Sequence, residues 1–315
     1  MNKINLDYQF LLVKFPIVFP LIYAFVLYQF PSFETELIII TILLLAETHF
    51  GATWPFFLDK VNFPYILKNR IGLVALPIII IFLSFAGFFL INKLFLLIFF
   101  AVNMFHVTRQ SYGICKLYCK NIDEHKFQEI VIYSVNSIFF IIGFFRFYLP
   151  IIKNDSLLMM NIVVGTIFLI LCFYYLYKFK YSENFLVFLT GCLIFYPMCF
   201  VNSPVHAIIM GVTMHYTQYI YLTYNVCSLR KINQSSETTS KYSKISNYFI
   251  IVAIYASIMS IFSLFGKADD LYLKQLIIVP IIGQLLHFYL DSQLWKFSEK
   301  YNRDNTLSYI TKFIK

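Results

Sequence analysis

The sequence predicts an all-α polytopic transmembrane bundle of about ten helices with both termini cytoplasmic. Three observations predict it: the composition, the spacing of the apolar runs, and the side on which lysines and arginines collect. Of 315 residues, 60% are hydrophobic, 20% aromatic and only 13% charged. So little charge cannot cover a water-facing globule. The chain reads as a single transmembrane helical domain, 1–315, with no room for a soluble one.

Apolar runs of about 18 to 25 residues, the length that a ~30 Å hydrocarbon core requires, follow one another in order. The first, 9–29, stands behind Lys3 like a signal peptide, but no small-residue cleavage site follows and the run reaches spanning length, so it is a retained helix. The second, 36–57, carries ETHFGATWP. The third and fourth, 72–92 and 94–115, are separated only by a tight turn. The fifth, 128–150, follows the basic loop NIDEHKF, and the sixth is 157–177. The seventh and eighth, 184–202 and 204–226, again nearly touch, so a nine-helix count is the alternative. The only linker-like segment, SLRKINQSSETTSKYSK at 228–244, precedes the last two, 247–266 and 272–295.

Basic residues collect in short cytoplasmic loops. With ten spans, Lys60, Lys68, Arg70, Lys116, Lys120, Lys126, Lys178, Lys180, Arg230, Lys231, Lys241 and Lys244 all fall in even-numbered loops. The tail adds Lys296, Lys300, Arg303, Lys312 and Lys315, whereas odd-numbered loops hold little beyond Lys93, Lys153 and Lys267. The net charge of +9 then reflects topology and contact with anionic lipid headgroups, with no nucleic-acid role. The expected location is a bacterial inner membrane. Cys115, Cys119, Cys172, Cys192, Cys199 and Cys227 lie in or beside helices, mostly toward the cytoplasm, and read as reduced packing residues.

Five of six histidines lie within spans, all on even-numbered ones. An imidazole in hydrocarbon is costly and persists where it has a partner. Counted from the outer end, His49, His106, His215 and His287 come roughly 11 to 15 residues in, a slab about 6 Å thick at 1.5 Å per residue. These four are the candidate metal ligands. His206, beside Pro204, reads as a capping or interfacial residue, and His125 as solvated.

Ligating histidines commonly donate their second ring nitrogen to a carboxylate or amide. At spacings of three or four on one helical stripe, His106 is followed by Gln110, His215 by Gln218 and Tyr219, and His287 by Asp291. Glu47 is two residues before His49 and points elsewhere on a regular helix, but Gly51 and Pro55 can distort that turn and bring it in. Arg109 needs an anion, from Glu47, Asp291 or a substrate. Glu47, Arg109 and Asp291 are therefore the candidate catalytic residues.

Imidazoles with one or two carboxylates suit iron, zinc or copper, and the lack of thiolates at that depth argues against an iron–sulfur cluster. Apolar, aromatic surroundings point to a lipid-soluble substrate and to an Fe(II) oxygenase using dioxygen. Haem between facing histidines, another transition metal, and a transporter using midplane histidines are the alternatives.

The pieces HFG at His49–Gly51 and H-x-x-x-D at His287–Asp291, with a histidine-bearing helix shortly before the last one, resemble the membrane-embedded Brp/Blh-type β-carotene 15,15′-dioxygenases. The chain departs from that family in having His215 with Gln218 where a close histidine pair stands, and in lacking an early proline–histidine–glycine motif. The resemblance implies a mononuclear non-haem iron held by histidines and oxidative cleavage of a polyene.

Overall fold

The computed structural model describes residues 10–119, 121–234, 241–266 and 270–311. Lys120, Lys267, Lys312, Lys315 and positions 235–240 of the linker-like segment lie outside the described residues.

The described chain is an all-α membrane bundle. Eight helices are long and apolar enough to cross a membrane: α1 (Phe10–Gln29), α2 (Pro31–Phe57), α3 (Ile71–Leu90), α4 (Asn92–Tyr118), α5 (Ile122–Tyr148), α6 (Ser156–Phe179), α9 (Asn247–Phe265) and α10 (Tyr272–Leu294). Between them come α7 (Glu183–Cys192) and α8 (Pro204–Gln234). Where one domain is expected, the helices form two compact units. The first runs to Ile38 and resumes over Met104–Thr217; the second comprises Ile39–Asn103 and the chain from Gln218 on. The boundaries fall inside α2, α4 and α8, so each of these helices contributes to both units.

In the first unit, the expected seventh helix over 184–202 is not continuous. Helix α7 ends at Cys192, and a turn and a 3₁₀ segment, Tyr196–Cys199, follow. Non-helical backbone at membrane depth must find its partners within the protein. Asn136 of α5 supplies two, donating to Gly191 O at 2.8 Å and accepting from Phe195 N at 3.4 Å. The Arg146 guanidinium donates to Met198 O, Val201 O and Asn202 Oδ1 at 2.8, 2.6 and 2.9 Å, and Asn161 of α6 donates to Cys199 O at 2.8 Å. At the other end, Asn184 donates to Glu124 Oε1 at 2.5 Å. The segment thus follows α5 from Glu124 to Arg146, about 33 Å at the helical rise, without forming a continuous helix. Among the described residues eight helices meet the spanning criterion where ten are expected; α7, of ten residues, and α8 are not among them. Gly211 of α8 packs directly on the Ile194 carbonyl, where a Cβ would collide with the oxygen.

In the second unit, α2 is a spanning helix of pieces. A π-helical turn, Ile42–Ala46, precedes the helical turn Glu47–Gly51, and a further turn, Thr53–Phe57, follows Ala52. Pro55 has no N–H to give to Gly51, which explains the break at Ala52. Thr48 Oγ1 donates back to Leu44 O at 2.7 Å, satisfying a carbonyl within the π turn. Small residues set the close packing, as is usual between membrane helices. A Cβ on Gly51 would stand 3.0 Å from Tyr255 Cδ1, and one on Gly283 would collide with the Tyr255 hydroxyl. Tyr255 of α9 is thereby seated against both α2 and α10.

Two outcomes check this architecture. Reporter fusions after Lys153 and within Ser235–Lys244 should report opposite faces of the membrane; the same face would remove the expected ten-crossing order. Asn136→Leu strands a buried carbonyl and N–H at the α7 break, and should lower unfolding free energy in detergent by about 1–3 kcal/mol, whereas Asn161→Leu, which loses one bond, should cost less.

Candidate metal centre

The second unit holds a buried polar network centred on two histidines. His49 of α2 and His287 of α10 are 0% and 1% exposed, and their Nε2 atoms face each other at 3.0 Å. Their rings meet edge-on, with centroids 4.5 Å apart and planes at 67°. His287 Nδ1 is 2.6 Å from Thr53 Oγ1, Thr53 Oγ1 is 2.9 Å from the Tyr219 hydroxyl, and that hydroxyl donates to Asp291 Oδ1 at 2.6 Å. All four residues of this chain are buried.

The protons along it have one consistent direction. An ionised carboxylate only accepts, so Tyr219 gives its proton to Asp291. In the order that satisfies every bond of the chain, Thr53 gives its own to Tyr219 and His287 donates Nδ1–H to Thr53. That order puts the lone pair of His287 on Nε2, aimed at His49. Asp291 Oδ2 lies 3.7 Å from the same Nε2, so this carboxylate anchors the chain with one oxygen and faces the imidazole pair with the other.

The donor set suits a transition-metal ion. Two nitrogens each 2.0–2.1 Å from one ion, at about a right angle, stand about 3 Å apart, the separation found here. Aromatic rings enclose the pair: Phe50 lies 5.1 Å from the His287 ring and 6.1 Å from Phe288, and Tyr219 lies 4.6 Å from the His49 ring. A water-poor enclosure of this kind strengthens electrostatic interactions within it.

The other expected residues fall as follows. Glu47 is 1% exposed and is joined by Gln284 of α10, with Tyr255 close by, so the irregular turn does bury it in the second unit. Arg109 is exposed on α4, on the side near Tyr133. His106 and His215 belong to the first unit and are buried, Gln110 is half-buried, and Gln218 is buried. His49, His106 and His287 each offer a buried ring nitrogen suited to a metal ion. His206 uses both nitrogens within the first unit: Nε2–H donates to Glu34 at 2.8 Å, and Nδ1 accepts from Tyr23 at 2.7 Å. Both of its nitrogens are thus engaged, and the ring is buried. His125 lies on the first turns of α5, half-buried. The six cysteines are free and buried.

Thr53 is the residue that sequence reasoning missed. It stands four positions after His49, the same spacing that links His287 to Asp291, and that spacing is the signal by which it was findable. Gln284, three positions before His287, is a second case. No family model, curated protein or solved structure matches the chain.

The proton order predicts the tautomer. Nitrogen-15 NMR of labelled histidine should find His287 protonated at Nδ1 in the wild type, still so in Thr53→Ser, and mixed in Thr53→Val. A wild-type His287 protonated at Nε2 would reverse the chain.

Proposed function

We propose that this protein is a membrane-embedded metal enzyme: a non-haem iron(II) oxygenase that acts with dioxygen on a lipid-soluble substrate, in a bacterial inner membrane. The observation that carries the proposal is the pair of facing Nε2 atoms of His49 and His287, buried among aromatic rings. His106 and His215, at the same depth by sequence, are proposed to complete the ligand set. Imidazole with carboxylate nearby favours iron among the metals that fit. A haem would require a flat slot beside these imidazoles, where Phe50 and Tyr219 are packed, so a bare ion suits the space better.

When bound, Fe(II) would supply the binding and activation of dioxygen. The residues of the chain have separate tasks. Thr53, Tyr219 and Asp291 fix the His287 ring and keep its lone pair directed inward. Phe50 and Phe288 exclude water. Glu47, hydrogen-bonded with Gln284, is a buried carboxyl two residues from His49 that can hold a proton near the reacting substrate. A long polyene matches aromatic walls that offer area and few polar contacts, and the resemblance to β-carotene dioxygenases supports a carotenoid as the first substrate to test.

Metal analysis of detergent-purified protein tests the site. His49→Ala and His287→Ala should each lose most of the metal while His125→Ala keeps it, and full occupancy in the first two would overturn the reading. Loss in His106→Ala or His215→Ala places that imidazole in the set, and retention removes it. Thr53→Val should weaken metal binding about 10 to 100-fold, with Thr53→Ser restoring it. In a carotenoid-producing host the wild type should bleach the pigment and yield an aldehyde, and His287→Ala should do neither. Unchanged pigment beside iron-loaded protein would replace the carotenoid by another membrane lipid.

A further inference from the structure

At one end of the second unit, remote in chemistry from the histidines, a cavity of about 770 Å³ opens beside the start of α3 and the end of α10. Its lining includes Lys68, Arg70, Lys296 and Lys300 against a single carboxylate, Glu299. Lys296 is occupied by that carboxylate at 3.0 Å. Lys68, Arg70 and Lys300 have no ion-pair partner among the described residues, and Arg70 spends only its Nε, on Leu67 O at 3.0 Å. Three cations without an ion-pair partner among the described residues thus line one concave site, whose single carboxylate is taken by Lys296.

The wall between them is built. Tyr65 and Tyr301 stack with centroids 4.4 Å apart and planes within 6°, and the Tyr301 hydroxyl is fixed on Val61 O. Tyr289 donates to Gly72 O at 2.6 Å, tying the first turn of α3 to α10. On the membrane side the lining changes character at Ile71, which is 78% exposed and begins an apolar stripe continued by Val74, Ile78 and Phe82, all exposed along α3. Phosphate chemistry at the mouth and an alkyl track leading from it make up one amphiphilic site. The cavity also lies on the face to which the lysine and arginine distribution assigns the cytoplasm, where anionic headgroups are found.

We propose that this pocket binds the phosphate headgroup of an anionic phospholipid, held by Lys68, Arg70 and Lys300, with its acyl chain along the Ile71–Phe82 stripe of α3. The site is independent of the metal centre and of the reaction proposed for it. A free phosphate ester shares the headgroup chemistry but has no use for the stripe.

Binding to full-length protein in a neutral detergent tests this, with phosphatidylglycerol, phosphatidylcholine and glycerol 3-phosphate as probes. Phosphatidylglycerol should bind saturably, about one per chain, and phosphatidylcholine should not. Each cation removed should weaken binding about fivefold, so the K68Q/R70Q/K300Q variant should lose about 100-fold. Glu299→Gln, which frees Lys296, should tighten binding by a similar single step. All of these side chains are exposed, so the thermal midpoint in phosphatidylcholine should be that of the wild type; if the triple variant does not fold, Lys300→Gln alone should show the fivefold loss. Unchanged phosphatidylglycerol affinity in the folded variant, or equal binding of phosphatidylcholine, overturns the site. Glycerol 3-phosphate competing at the concentrations at which the lipid binds would assign the pocket to a soluble phosphate ester and overturn the lipid.

Discussion

A polar group inside a bilayer has no water to turn to, and at the break after Cys192 side chains make good the loss of helical bonds. The broken segment survives because Asn136, Arg146 and Asn161 reach the backbone groups that a helix would have paired internally. The same demand governs the histidines. His287 keeps a polar ring in an apolar interior because Thr53, Tyr219 and Asp291 pass its hydrogen bond on to a carboxylate that can accept without donating. Asp291 fixes more than its neighbour: in the order that satisfies every bond of the chain, the direction of three hydrogen bonds follows from its inability to donate.

Helix irregularity also sets where these groups stand. Residues 49 and 53 share a stripe on any helix, and the break at Ala52 leaves that relation intact while Pro55 bends the chain beyond it. The π turn before Glu47 adds a residue to the preceding turn, the kind of local insertion that recurs at functional sites. With Gly51 admitting Tyr255 closely, α2 presents a carboxyl, an imidazole and a hydroxyl to the interior of its unit within seven residues. A regular α2 would have turned Glu47 away.

Much of this was legible in the sequence, and the gaps have physical causes. An all-α bundle of spanning helices and the burial of four histidines follow from apolar length and helical spacing; the bond between Tyr219 and Asp291, which stand on different helices, does not. Nor does the break in α7, because hydropathy counts residue types and is blind to the hydrogen bonds of Asn136 and Arg146 that make an irregular segment possible. Arg109 illustrates a second blind spot: lying within a span does not say which face of the helix a charge occupies, and here that face is exposed. Division into two units was not legible either, since its boundaries fall within continuous helices, where composition does not change.

The quiet helices are the ones that matter. Among the nine long helices described, α2, α4 and α10 are the least apolar that still satisfy a spanning criterion, and α8 falls below it. These four carry His49, His106, His215 and His287. The most apolar, α3, is also the least buried of the eight, while α2 and α10 share the highest burial. Lipid contact requires an apolar surface all round, so a helix shielded by its neighbours is released from that requirement and can hold polar side chains at membrane depth. Helix α8 takes this furthest: it is buried along most of its described length, and its threonines and tyrosines bond inward, as Thr223 does with Tyr248 at 2.8 Å. Weak hydropathy in a long helix of a polytopic protein is therefore a positive signal of enclosure, and enclosure is the condition under which an imidazole at this depth can be kept dry, oriented and ready to bind.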